Sequence, residues 1–347
     1  MDGPAPLPIT LALQGGGSLG AFAWGVLDRL LEEERLRPEV VSGASAGAMN
    51  AALLVQGLAT GGPEEAKRLL ELFWRRVAMA AGSPDVADLP AWLMPMGDFL
   101  FPLAQAWRRS AASGFGGPPR APLVLNPLRR VLDGLLEPEA FARPGAPMLV
   151  VSATRVRTGE ARLFRGAEVT ADVLLASACL PQIFPPVEID GELYWDGGYA
   201  SNPPVRPLIE AGAPADVVIV RTTPLERPTP PQNAREIRAR STEIAFDAAL
   251  RQELRSVLAA QRLLAAELPN LPEGGALARL RDARLHIIGA EEELRALPQD
   301  SPQDARWELF RSLRELGRGA AERWLSGNLA AIGHRSTLDG GRFDNPR

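Results

Sequence analysis

The chain has 347 residues, of which 46% are hydrophobic and 23% charged, and this balance excludes a predominantly disordered polymer. Its formal net charge is −4 and no basic tract stands apart from neighbouring acids, so there is no electrostatic case for a nucleic-acid partner. The single cysteine, Cys179, excludes an intramolecular disulfide, and no run reaches the roughly 18 apolar residues that would span a bilayer.

Residues 9–14 are apolar and end in glycines, which predicts a buried parallel strand entering a tight turn. From 18 to 35, Leu19, Phe22, Val26, Leu27, Leu30 and Leu31 recur at three-to-four-residue spacing and predict a helix closed by Pro38, with 39–43 as the second strand. The alanine- and leucine-rich stretch 46–57 predicts a helix buried against the sheet and ended by Gly57 or by Gly61 with Gly62. Strand, helix, strand, helix is a parallel α/β opening. Another amphipathic helix is expected over 63–77. Residues 81–122 then collect prolines and glycines with Trp92, Met94, Met96, Phe99, Phe101 and Trp107, which reads either as a lid over a site or as helices packed on the core.

Asn126 and Pro127 form the cap and first turn of a helix to 136. The β-branched strand 147–157 turns at Thr158-Gly159 toward an antiparallel partner at 161–164. Thr170 caps a helix to 179, stopped by Pro181, and 187–189, Asp190-Gly191 and 192–195 read as a hairpin. A short helix from Pro203 to 211 and a buried strand at 216–222 follow. Beyond them the pattern predicts one long helix or two over 233–267, a strand at 283–288, a helical pair over 302–332 and a frayed end from 336 to 347. Residues 1–347 are expected to form one domain, and the start, lacking a basic and an apolar region, carries no expected secretory signal.

The chemistry centres on Gly43-Ala44-Ser45-Ala46-Gly47, a G-x-S-x-G turn between strand and helix that lifts a nucleophilic serine above a sheet edge. A serine hydroxyl needs a base for its proton and donors for the charge that develops on the attacked carbonyl. Gly15-Gly16-Gly17-Ser18-Leu19-Gly20 opens the first helix, so its backbone N–H groups and the helix dipole suit an oxyanion hole. The same six residues match G-x-G-x-x-G, but a dinucleotide site needs an acid at the end of the second strand, which ends here in Val41-Ser42-Gly43. No Gly-Lys-Ser/Thr follows to make a phosphate loop. For the base, His286 and His334 have the chain order of a triad, although His286 is mid-strand, where a structural role competes, and His334 is near the tail. Asp196 ends a strand before Gly197 and Gly198, and its plain alternative is a turn aspartate. Trp24 and Met49 read as core, Ser42 has no assigned role, and Asn50 reads as a structural amide in need of a partner.

Taken in order, Gly15 to Gly20, Gly43 to Gly47 and Asp196-Gly197-Gly198, with Ser177 to Pro186 ahead of the aspartate, resemble the blocks of the patatin-like phospholipases. The likeness spans about 9–222, and the helical extension from about 224 is similar to that of bacterial members. The resemblance implies an α/β, three-layer αβα fold with a mostly parallel central sheet and additional helices. It implies a Ser45–Asp196 dyad without a catalytic histidine, with Gly16, Gly17 and Ser18 as oxyanion donors and Gly15, Gly20, Gly43, Gly47, Gly197 and Gly198 supporting the motifs. The implied activity is a lipid acyl hydrolase working through an acyl-enzyme on phospholipid or other fatty acyl esters, with no cofactor and no metal. Family glycine loops often carry Arg or Lys where this chain has Leu19. A general carboxylesterase or acyltransferase and a catalytically silent lipid-binding protein are the alternatives. The expected location is the cytoplasm, soluble or peripheral at a membrane.

Overall fold

The apolar runs of the sequence become the strands of a single sheet in a computed structural model that describes residues 5–82, 126–268, 270–298, 301–338, 340 and 343. The strands are β1 (Leu7–Leu13), β2 (Leu36–Gly43), β3 (Met148–Arg155), β4 (Ala161–Arg165), β5 (Val187–Ile189), β6 (Glu192–Asp196), β7 (Asp216–Val220) and β8 (Arg284–Ile288). Their order is β5-β6-β3-β2-β1-β7-β8, with β4 also pairing with β3. The pairs from β3 through β8 along this order are parallel, whereas β4 and β6 run antiparallel to β3, and β5 to β6.

The helices form two layers because the central strands are apolar on both faces. All five residues of β7 are buried: Val218 and Val220 share one cluster with Leu11 and Leu13, while Val217 and Ile219 share the other with Ala12. The first cluster is roofed by α1 (Gly20–Leu30), α2 (Ala46–Thr60), α3 (Gly62–Ala80) and α10 (Trp307–Asn328). The second is covered by α6 (Arg206–Ala211), α7 (Ala234–Glu267) and α8 (Ala276–Asp282). Trp24, Phe22 and Phe310 are among the largest fully buried side chains, each contributing roughly 1.5–3 kcal/mol relative to exposure. The remaining helices are α4 (Pro127–Leu132), α5 (Ala171–Ser177) and α9 (Glu291–Ala296). This is the expected three-layer fold with a mostly parallel sheet.

Several local expectations are corrected. The first helix does not run from 18 to 35: a 3-10 turn, Gly17–Leu19, precedes α1, and α1 stops at Leu30. Leu36 N–H then bonds the Glu33 carbonyl and Leu7 N–H bonds the Arg35 carbonyl, drawing the chain into β2 early. Pro38 lies inside that strand opposite Ile9, where the pairing register shifts, so its missing N–H falls at the irregularity. The helix expected to reach 136 ends at Leu132, followed by Gly134 at φ 63°. The helical pair over 302–332 is one helix, α10, between the 3-10 turns Ser301–Gln303 and Leu329–Ala331. Residues 336–338, expected at the start of a frayed end, are held in place: β8 is an edge strand, and the Leu285 carbonyl accepts from Thr337 and Leu338 N–H while Leu285 N–H donates to Ser336 Oγ; the rest of that expected end lies outside the described residues except for 340 and 343. The lid-like insertion expected at 81–122 lies outside the described residues except for Ala81 and Gly82.

Candidate active site

Between β2 and α2 the chain reverses within two residues, and Ser45 takes the bend at φ 53° and ψ −127°. Positive φ is uncommon for a residue with a Cβ, and the surrounding structure must hold it. Two features do so. A Cβ at Gly47 would sit 2.2 Å from the Leu13 carbonyl oxygen, so only glycine lets α2 start this close to β1. Ser45 N–H also donates to Ser177 Oγ at 2.9 Å, tying the elbow to the end of α5. Ser45 itself is 7% exposed.

The pairing register explains how Asp196 reaches this serine. Gly43, the last residue of β2, pairs with Val151 of β3, and Asp196, the last residue of β6, pairs with Ala153 two positions further along. Thus β6 takes over beyond the point where β2 turns away, and both strands deliver their final residues to the same place. The Asp196 backbone is locked there by its N–H to the Cys179 carbonyl, 2.9 Å, and by Thr154 Oγ1 donating to its carbonyl, 2.8 Å.

Asp196 is fully buried. Its Oδ1 accepts from Gly198 N–H at 2.8 Å, while Oδ2 has no partner within hydrogen-bonding geometry among the described residues. Burial pushes the carboxyl up to about 7, against the opposing pull of Gly198 N–H and of the Ser45 hydroxyl. The serine hydroxyl is therefore close enough to act on the carboxylate, without a fully formed bond to Oδ2. Cys179 offers no competing nucleophile: burial, followed by the neighbouring Asp196 charge, pushes its thiol up to about 12.

The glycine loop lies against the elbow from the other side. A Cβ at Gly15 would be 2.5 Å from the Ala44 carbonyl oxygen and 2.8 Å from Ser45 Cβ, so the bare backbone is what fits. Gly15 N–H donates to Asn202 Oδ1 at 2.7 Å, and Gln14 Oε1 accepts from Thr222 N–H at 2.9 Å. Among the described residues, the N–H groups of Gly16, Gly17 and Ser18 have no protein acceptor. Leu19 is fully buried in the core and Gly20 begins α1.

Ser45, Asp196 and the glycine loop are thus brought together, and the two histidines are not. His286 is buried in β8 at a position level with Val218, Leu11 and Val41 across the parallel pairs, three strands from β2. Its ring nitrogens contact Asp216 Oδ1 at 3.1 Å and Thr337 Oγ1 at 3.0 Å, so it is a satisfied structural side chain. Burial opposes ionisation of Asp216, yet bonds from His286, Arg284 and Gly333 N–H outweigh it and hold its carboxyl well below the usual carboxylate range. His334 is exposed. Asn50 finds the partners expected of it, donating to the Gly20 carbonyl at 2.8 Å and accepting from Trp74 Nε1 at 3.0 Å. Trp24 and Met49 are core, and Ser42 Oγ donates to the Pro204 carbonyl. The contacts of Ser177 and Asn202 escaped the sequence reading; Asn202, a polar residue between Ser201 and two prolines just beyond Asp196-Gly197-Gly198, was the available signal.

The model of one family, the patatin-like phospholipases, matches residues 11–209, more than half of the chain, and takes in the glycine loop, the elbow and Asp196. This chain belongs to the patatin-like phospholipase family. At family level that means lipid acyl hydrolysis. Among solved structures, the patatin-like chain is similar to the crystal structure of VipD from Legionella pneumophila at 16% identity and a TM-score of 0.41, covering 93% of this chain and 67% of that one. No curated protein matches. The patatin match stops within α6, so β7, β8 and α7 through α10 lie beyond it, although β7 pairs directly with β1. No helix among the described residues is long and apolar enough to cross a membrane.

Proposed function

We propose that this patatin-like protein is a serine lipid acyl hydrolase, built as one domain, that cleaves fatty acyl esters through Ser45 and Asp196. The observation that carries this reading is the fully buried Asp196 carboxyl, with one oxygen unpartnered among the described residues and its pKa pushed up to about 7, beside a serine held at positive φ. A carboxylate with a pKa near the working pH takes and returns a proton efficiently. Asp196 Oδ2 accepts the Ser45 proton as Ser45 Oγ attacks the ester carbonyl. The tetrahedral intermediate collapses to an acyl-enzyme, and Asp196 passes the proton to the leaving alkoxide. Water then gives a proton to Asp196 and attacks the acyl carbon; the fatty acid leaves and the proton returns to Ser45 Oγ.

The N–H groups of Gly16, Gly17 and Ser18 serve as oxyanion donors in this reading, supported by their lack of acceptors among the described residues and by the packing of Gly15 on Ser45. Each such donor is worth roughly 10²- to 10³-fold in rate. Buried Leu19, where related glycine loops often carry Arg or Lys, contributes no charge to a head group.

A fluorophosphonate probe tests the proposal. The native protein is expected to be labelled and to hydrolyse a series of nitrophenyl esters and phospholipids, with both activities absent in Ser45→Ala. Labelling that persists in Ser45→Ala, or a folded native protein that is neither labelled nor active, would overturn it.

A further inference from the structure

Asn202 belongs to neither the serine elbow nor the glycine loop, yet it is the side chain that joins the aspartate segment to the glycine loop. It is fully buried. Its carboxamide brackets both backbone groups of one residue: Oδ1 accepts from Gly15 N–H at 2.7 Å and Nδ2 donates to the Gly15 carbonyl at 3.3 Å. Nδ2 also reaches the Phe246 carbonyl at 3.4 Å, on α7. Gly15 in turn is the residue whose backbone lies against Ala44 and Ser45, immediately before the three N–H groups that lack acceptors among the described residues.

The segment carrying Asn202 is itself clamped by α7. Glu253 accepts from Ser201 Oγ at 2.5 Å, from Val205 N–H at 2.7 Å and from Arg206 N–H at 3.0 Å. The Phe246 ring packs against Gly198 and stands edge-on to Tyr199, with centroids 5.1 Å apart. Helix α7 lies outside the segment matched by the family model.

Resting on the hydrolase reading above, we infer that Asn202 is a positioning residue: anchored by α7, it sets the height of the glycine loop over Ser45 and so the aim of the oxyanion donors. Acting on charge that exists only in the transition state, it governs kcat rather than KM. A loop held by two hydrogen bonds at one residue shifts when both are lost, and a donor displaced by a fraction of an ångström loses much of its effect.

The test uses the full chain with Asn202→Ala and Asn202→Asp. The second keeps the side-chain volume and an acceptor for Gly15 N–H, but sets a carboxylate oxygen against the Gly15 carbonyl, so it carries the test if the alanine variant does not fold. Each folded variant is expected to lose roughly 10- to 100-fold in kcat with KM within about threefold of native. The inhibition constant of a long-chain alkyl trifluoromethyl ketone, which forms a tetrahedral oxyanion on the serine, is expected to rise in parallel. That of the matching methyl ketone is expected to stay unchanged. Folded variants with native kcat, or a loss confined to KM with unchanged trifluoromethyl ketone inhibition, would overturn the inference. Ser45→Ala separates the two levels: if it still hydrolyses esters the hydrolase reading falls, whereas a dead Ser45→Ala beside an active Asn202→Ala removes only the role of Asn202.

Discussion

Asp196→Asn is expected to abolish turnover and, above neutral pH, to stabilise the fold. The carboxyl's ordinary value of 3.8 applies to the unfolded chain, and burial pushes it up to about 7 in the native protein. Between those two values the folded state keeps a proton that the unfolded state has lost, so the contribution of Asp196 to stability is greatest below 3.8, declines as pH rises and is fully lost above about 7. A separation of this size corresponds to about 4 kcal/mol at pH 8. Asparagine keeps an acceptor for Gly198 N–H and has no charge to bury, but places an amide N–H where Oδ2 lacks a partner, at a cost of about 1–3 kcal/mol. That cost does not vary with pH, so the difference between variant and native isolates the carboxyl. It should shift by about 3 kcal/mol in favour of the variant between pH 5 and pH 8. Thermal unfolding of both proteins at matched pH values reads this as a widening gap in Tm. A gap that stays constant across this range, or an asparagine variant that retains turnover, would refute the account of Asp196 as a strained, half-satisfied base.

Two further substitutions separate structural from chemical roles. Ser177→Ala removes the acceptor of Ser45 N–H and should cost about 1–3 kcal/mol while slowing fluorophosphonate labelling; a variant that melts and labels like native would show the elbow to be held without it. His286→Ala breaks the contacts with Asp216 and Thr337 and is expected to lower Tm while the folded protein keeps its esterase activity, whereas a folded but inactive His286→Ala would speak for a triad.

What was legible in the sequence followed from local rules. The apolar runs of β1 and β7, the alanine-rich α2 and the hairpin at Asp190-Gly191, with φ values of 53° and 78°, are each set by their own residues. The glycine spacing of the elbow was also readable, because a close helix start against β1 demands glycine at 47. The errors arose where distant partners decide. Pro38 enters β2 because β1 tolerates a register shift beside it, and residues 336–338 are held because β8 leaves an unpaired edge. The side chains that fix the site's geometry act across gaps no local pattern spans: Ser177 is 132 residues from Ser45, and Asn202 is 187 from Gly15.

Two of the buried aspartates, Asp196 and Asp216, show how the fold divides its electrostatic strain. Asp216, at the first position of β7, has His286, Arg284 and the Gly333 N–H around it, so burial is more than offset and the carboxylate stays charged. Asp196, at the last position of β6, has among the described residues only the Gly198 N–H on Oδ1 and the pull of the Ser45 hydroxyl, so burial wins. Both sit on strands of one sheet, and neither difference follows from residue type. A further protein donor to Asp196 Oδ2 would relieve its strain and lower its pKa, but would also occupy the lone pair that receives the Ser45 proton in the proposed mechanism. In the proposed mechanism, the scarcity of donors is therefore what fits Asp196 to be a base, whereas Asp216, held charged by His286, Arg284 and Gly333 N–H, is not suited to that task.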